Sequence, residues 1–208
     1  LLGGVLKGQE LIQSAKIKNV VSDFSSTTVA IYGYQDRYKA LPGDDPNVVT
    51  RWVNAAPAPK VGNNDNIITG NFVDGVAGVG AGTEAAQFWY HLRLAGFVGG
   101  SGEGGPKNAY NGQLGIQDGN DSFNLGVGTG FKGIIVCESD IPDKAAAAID
   151  NQLDDGNPTT GIIRAVVQAG VGAPVVPAQT PAAGSPVLVA GTTYVETGTT
   201  YYTMCKSQ

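Results

Sequence analysis

The feature that most limits how this chain can fold is a single long helix with an abrupt end. From Val5 through Ile12, Val20, Phe24, Thr27, Ile31, Gln35 and Tyr38, steps of mostly three and four residues draw an apolar stripe along one side, while Lys7, Gln9, Glu10, Gln13, Lys16, Lys18, Asn19 and Asp23 fill the rest. The spacing predicts a helix from Lys7 to Tyr38, roughly 45 Å long at 1.5 Å per residue. That exceeds the width of the domain that the remaining residues can form, so part of the helix is expected to protrude. Pro42 and Gly43 are its predicted stop, because proline lacks the ladder donor and disfavours helical backbone in the residue before it. The stripe suits either an ordinary helix over a sheet or a spine that needs another molecule for its uncovered part.

Composition favours one sizeable domain beyond the helix, and the division predicted is a spine over residues 1–41 and a head over residues 42–208. With 42% hydrophobic and 15% charged residues the head has a real core, and 31 glycines and 11 prolines point to short strands joined by long loops. A net charge of −5 without any cluster of Lys and Arg argues against a nucleic-acid partner. The chain contains no HExxH, no GxSxG and no phosphate loop, and the Gly78–Gly82 run lacks the Lys and Ser or Thr of a nucleotide loop, so no enzyme is expected. Cys137 and Cys205 are the two cysteines. In an exported protein they would close a loop of about 68 residues, contributing roughly 4 kcal/mol by chain entropy; in a cytosolic one they would be separate buried thiols. Low lysine content with abundant Thr, Gly and Asn leans toward export.

Along the head, Asp44 to Gly82 reads as a long loop region anchored by Trp52 and Val53. Within it, Asn63 and Asp65, with Asp74, supply the oxygen ligands that Ca²⁺ favours, without the spacing of an EF-hand, and the same residues suit plain turns. No other cofactor is expected. A second helix starts at a Thr83 cap, carries Glu84 in its first turn and ends at Gly96; its His91 reads as a partly exposed neighbour of a packed Trp89 rather than a catalytic group. Strands are predicted at Gln113–Gln117, Ser122–Val127, Gly130–Glu138 and Ile162–Val167, and a helix at Lys144–Leu153 with Ala148, Ile149 and Leu153 inward. Asp154–Gly161 is a turn, in which adjacent Asp154 and Asp155 are not expected to share a face. Gln168–Gly191 is an extended proline-rich loop, either unmodified or carrying O-linked sugar on Thr180 or Ser185. Thr192–Thr197 and Thr199–Met204 have the pattern of a terminal hairpin.

The segment LLGGVLKGQELIQSAKIKNVVSDF followed by IYGYQDRYKALPGDDP resembles the helical spine of bacterial type IV pilins and pseudopilins, the prepilin-type cleavage and methylation proteins, and AAAAIDNQLDDGNPTTGIIRA is similar to a stretch that recurs in that group. The resemblance implies an α+β, pilin-like fold: a long N-terminal helix packed on an antiparallel sheet with long loops. It implies a Cys137–Cys205 disulfide bounding the C-terminal region. The family's cleavage site, N-terminal Phe and early Glu have no counterpart here, so the N-terminal part of the membrane helix is lacking. By the same resemblance, Leu1 to about Asp23 continue a helix anchored in the inner membrane before assembly and packed in a filament core afterwards; the low helix propensity of glycine adds the expectation that the packed helix loosens at Gly3, Gly4 and Gly8. Copies of the chain or homologous pilins are the implied partners, with Val5, Ile12, Val20, Phe24, Ile31 and Tyr38 as the residues of the helix that pack in the filament or on the head. The functions implied are a subunit of an extracellular type IV pilus, a periplasmic type II secretion pseudopilin, or a minor tip or adhesin-like pilin recognising a ligand through Trp52, Tyr110 or the proline-rich loop.

Overall fold

A computed structural model of the chain describes residues 2–120, 122–123, 130–177 and 193–208, without the side chains of residues 2, 3, 77, 79 and 81. Helix α1 runs over Leu2–Tyr38, 37 residues and about 55 Å. Its second half lies on the head: Val20, Phe24, Thr27, Ala30, Ile31 and Tyr34 are buried, and together they form one continuous face toward α4 and β2. The helix ends at Tyr38 as predicted, four residues before Pro42. Lys39 takes a left-handed backbone (φ 56) and its N–H still bonds the Gln35 carbonyl at 2.8 Å, so the chain turns inward there and buries Ala40 and Leu41.

The head is built on four antiparallel strands, β1 (Leu114–Asp118), β2 (Ile134–Pro142), β3 (Ile163–Gln168) and β4 (Tyr201–Ser207), in the spatial order β1-β2-β4-β3. With α1 and the Cys137–Cys205 disulfide this is the α+β arrangement expected. Helix α4 (Asp143–Leu153) packs beside α1; Ala145, Ala146 and Ile149 point inward and Ala148 faces solvent, one position from where it was expected. Both faces of the sheet are covered, so β1 and β2 are buried almost throughout and read as continuous apolar runs rather than alternating ones. On one face Ile116, Val136 and Met204 meet α1 and α4; on the other, Ile135, Cys137, Val166 and Cys205 join Phe72, Phe123 and Phe131 in a second, smaller core.

Several expected elements are placed differently. The terminal hairpin does not form among the described residues: 193–197 carry no strand, and β4 instead inserts between β2 and β3. A central strand has two partners to satisfy its backbone, whereas a hairpin at the tail would leave it on an edge. Of the strand expected at Ser122–Val127, Ser122 and Phe123 form a turn and residues 124–127 lie outside the described residues, as do 178–191 of the proline-rich loop with Thr180 and Ser185. The long loop region holds α2 (Val48–Arg51) and a 3-10 segment (Phe72–Ala81) ahead of α3 (Glu84–Leu94), which Thr83 caps through Ala86 N–H as expected. Gly115 is where that segment crosses the sheet: a Cβ there would stand 2.0 Å from the Phe72 carbonyl oxygen.

Cys137 and Cys205 are register partners on neighbouring central strands. Cys205→Ser should lower stability by about 2–4 kcal/mol through the freed unfolded chain; a melting curve that superimposes on the parent's under oxidising conditions would mean that the bond does not act.

Candidate functional site

The helix divides into two environments near Lys16. Residues 4–15 are exposed apart from a half-buried Gly8, and among them Val5 (61%), Leu6 (59%), Leu11 (62%) and Ile12 (59%) hold apolar side chains in solvent. The last support from the head is Tyr110, whose hydroxyl bonds Gln13 Oε1 at 3.2 Å and whose ring lies under the Lys16 ammonium. Of the six stripe residues, Val20, Phe24 and Ile31 are therefore core residues, Tyr38 is half-buried against Trp52, and Val5 and Ile12 meet nothing in their own head. No described helix is long and apolar enough to cross a membrane.

The outer side of the supported half is also unlike a solvated face. From Phe24 to Gln35 no residue is charged, although Ser22, Ser25, Ser26, Val29 (71% exposed) and Tyr32 (56%) face out. Ser22, Ser25, Ser26, Val29 and Ala30 border a groove of about 440 Å³ whose far wall is Phe97. That wall depends on Gly33, where any Cβ would stand 2.7 Å from the Phe97 ring. Small residues in such a row let a second helix approach closely.

The head is tied to α1 by buried polar groups that spacing did not reveal. Tyr34 donates its hydroxyl to Asp45 Oδ2 at 2.6 Å, and Arg51 pairs with the same carboxylate while stacking on Tyr38. Asp44 accepts from Asn64 and Asn66 N–H, and Glu84 from Asn63 and Thr69, which pins the long loop. Asn63 and Asp65 bond each other (2.8 Å), and Asp65 also accepts from Ile67 N–H (2.8 Å). Their oxygens serve local turns, as does Asp74, which accepts from Asn71 and Thr83. The tightest acidic group is elsewhere: Asp150, Asp154 and Asp155 bring oxygens within 4.8 Å, contrary to the expectation that the adjacent pair stays apart. Tyr194, Ile163 and Thr160 donate to them, because the turn folds back over the end of α4. Val53 does not anchor the loop, being 69% exposed, whereas Trp52 does. Trp52 and Tyr110 are both engaged with α1 side chains, which offers no support for a ligand-recognising role.

His91 is fully buried, not partly exposed. Gly43 N–H donates to Nδ1 (3.0 Å), so the ring proton sits on Nε2 and points at the Lys60 carbonyl (3.1 Å). A second ring proton would face the Gly43 N–H, and burial with the nearby Arg51 charge pulls the pKa from 6.5 to about 4, against a smaller opposing pull from the Lys60 bond. Glu138 is also fully buried and its oxygens accept no hydrogen bond; Asn108 is committed to the Ser139 carbonyl (2.8 Å) and eases it only in part. Burial first, then the Asp23 charge, pushes this carboxyl well above its ordinary range.

These two groups titrate with opposite signs. The histidine's stabilising contribution is complete above about pH 6.5 and disappears as pH falls toward 4, a loss of about 3 kcal/mol. Glu138 contributes below its unfolded value near 4.5, and that contribution is lost as pH rises through its elevated folded value. Between pH 7 and pH 4 the two act against each other, so the histidine is read as a difference: denaturant melts should show the parent losing about 3 kcal/mol relative to His91→Gln over that range, and parallel profiles would contradict the assignment. Comparison with family models, with curated proteins and with solved structures finds no match to the chain.

Proposed function

We propose that this protein is a structural subunit of an extracellular type IV pilus-like filament, polymerising through α1 with copies of itself and displaying its head on the outside. The observation that carries this reading is the protruding half of α1, whose Val5, Leu6, Leu11 and Ile12 have no cover from their own head. Burying four such side chains contributes about 1.5–3 kcal/mol each, and a second chain is the nearest source of cover because every copy also offers the charge-free outer face beside Phe97. Contacts between two different faces of one molecule are head-to-tail, and where the rotation between neighbours does not close they repeat into an open helical polymer rather than a dimer. Charge favours the same arrangement: Lys7, Lys16 and Lys18 against Glu10 make the first eighteen residues positive in a chain that is −5 as a whole.

The fold fits this use. An α+β head with its sheet covered on both faces and its last strand held by a disulfide is a durable surface unit, and α1 is fixed to it by Phe24, Ile31 and Tyr34. Location on an extracellular filament follows from the same reading.

Two substitution sets separate assembly from folding. Replacing Val5, Leu6, Leu11 and Ile12 together with Ser should leave the melting temperature of the dilute protein unchanged and abolish sedimentable filaments; polymer formed at the parent's yield would contradict the proposal. Phe24→Ala should instead cost about 3–5 kcal/mol of stability, and a variant melting like the parent would show that the lower stripe is not core.

A further inference from the structure

Strand β1 is an edge strand, and the turn that leaves it holds an arrangement which the fold itself does not use. β1 ends at Asp118, a largely buried carboxylate that accepts the Asn120 backbone N–H. Asn120 is exposed with a left-handed backbone (φ 32), and among the described residues its side-chain amide makes no hydrogen bond. Two residues on, Ser122 is fully buried, and among the described residues its hydroxyl has no hydrogen-bond partner. A buried hydroxyl without a partner is a net cost, and alanine would occupy the same space without it. Ser122 therefore carries a polar atom that the finished fold has no use for, at the one spacing from an exposed asparagine that has chemical meaning: Asn, one residue other than proline, then Ser.

We propose that Asn120 is an acceptor for an N-linked glycan, read through the Ser122 hydroxyl. Ser122 and Asp118 are buried in the folded chain whereas Asn120 is open to solvent. Reading thus takes place before the turn closes, at a residue that the folded turn leaves open to solvent. In the transfer, Asn120 Nδ2 attacks the anomeric carbon of a sugar activated as a lipid-linked diphosphate. The N–C bond forms as the bond from that carbon to the phosphate oxygen breaks, one amide proton passes to a base of the transferase, and the lipid diphosphate departs. The inference needs only an export route that meets such a donor, and it does not rest on the filament reading.

The test is peptide mass mapping of the protein isolated from the cell that makes it, with Asn120→Gln, Ser122→Ala and Ser122→Thr expressed in the same cell. A glycan on the peptide containing Asn120, lost completely in Asn120→Gln and Ser122→Ala and kept in Ser122→Thr, is the expected result. An unmodified Asn120 in the parent, or a glycan surviving Ser122→Ala, would overturn it. A second measurement addresses the fold: made in a host without such transferases, Ser122→Ala should melt no lower than the parent. A lower melting temperature would show that the hydroxyl serves the folded turn and would overturn the inference.

Discussion

The structure depends on the seam between the second half of α1 and the sheet. Val20, Phe24, Ile31 and Tyr34 fill the space above β2 and beside α4, and burying side chains of this size contributes about 1.5–3 kcal/mol each. The seam is short compared with the helix. About fifteen residues extend beyond it, and isolated helices of that length are marginal in water. That half is held helical by continuity with the seated half and by the Tyr110 bracket at Gln13 and Lys16. Its uncovered apolar side chains are what connect the fold to a function, because a shape that one molecule cannot complete is completed by others.

Around the seam the head uses polar groups as fasteners. Asp45, held by Tyr34 and Arg51, locks the end of α1 to the loop that follows, and neutral His91 joins Gly43 to Lys60 across α3. The Asp45 oxygens and both His91 ring nitrogens thereby have partners inside the protein, where a missing partner costs more than the bond is worth in water. Glu138 differs, since among the described residues neither of its oxygens accepts a hydrogen bond. An unpaired carboxyl beneath α1 is tolerable only protonated, so the seam is weakest toward alkaline pH, while the His91 fastener is weakest toward acid.

The sequence was most legible where the signal is local. The helical period, the Thr83 cap, the Gly96 stop and the Ile134–Val136 run each mark their element within a few residues, and α1, α3, α4 and strands β1 to β3 lie close to where those signals put them. The cysteine pair became legible through resemblance rather than spacing. What stayed hidden is long-range. Nothing near Tyr201–Ser207 says that this strand lies between two others, and nothing near Asp45 says that Tyr34 and Arg51 will neutralise its burial. The helix end at Tyr38 was legible, but the inward turn that buries Ala40 and Leu41 directly after it was not. At the candidate site the stripe itself was readable, but its division near Lys16 was not, since that depends on how far the head reaches.

The central claim is that α1 has two halves with different partners, one in its own head and one in neighbouring molecules. Amide hydrogen exchange followed along α1, in the dilute protein and in assembled material, measures this directly. The account predicts strong protection over residues 20–34 in both states, with residues 4–15 exchanging fast when dilute and becoming protected on assembly. Protection of residues 4–15 in the dilute monomer, or their continued fast exchange in the assembled state, would contradict it.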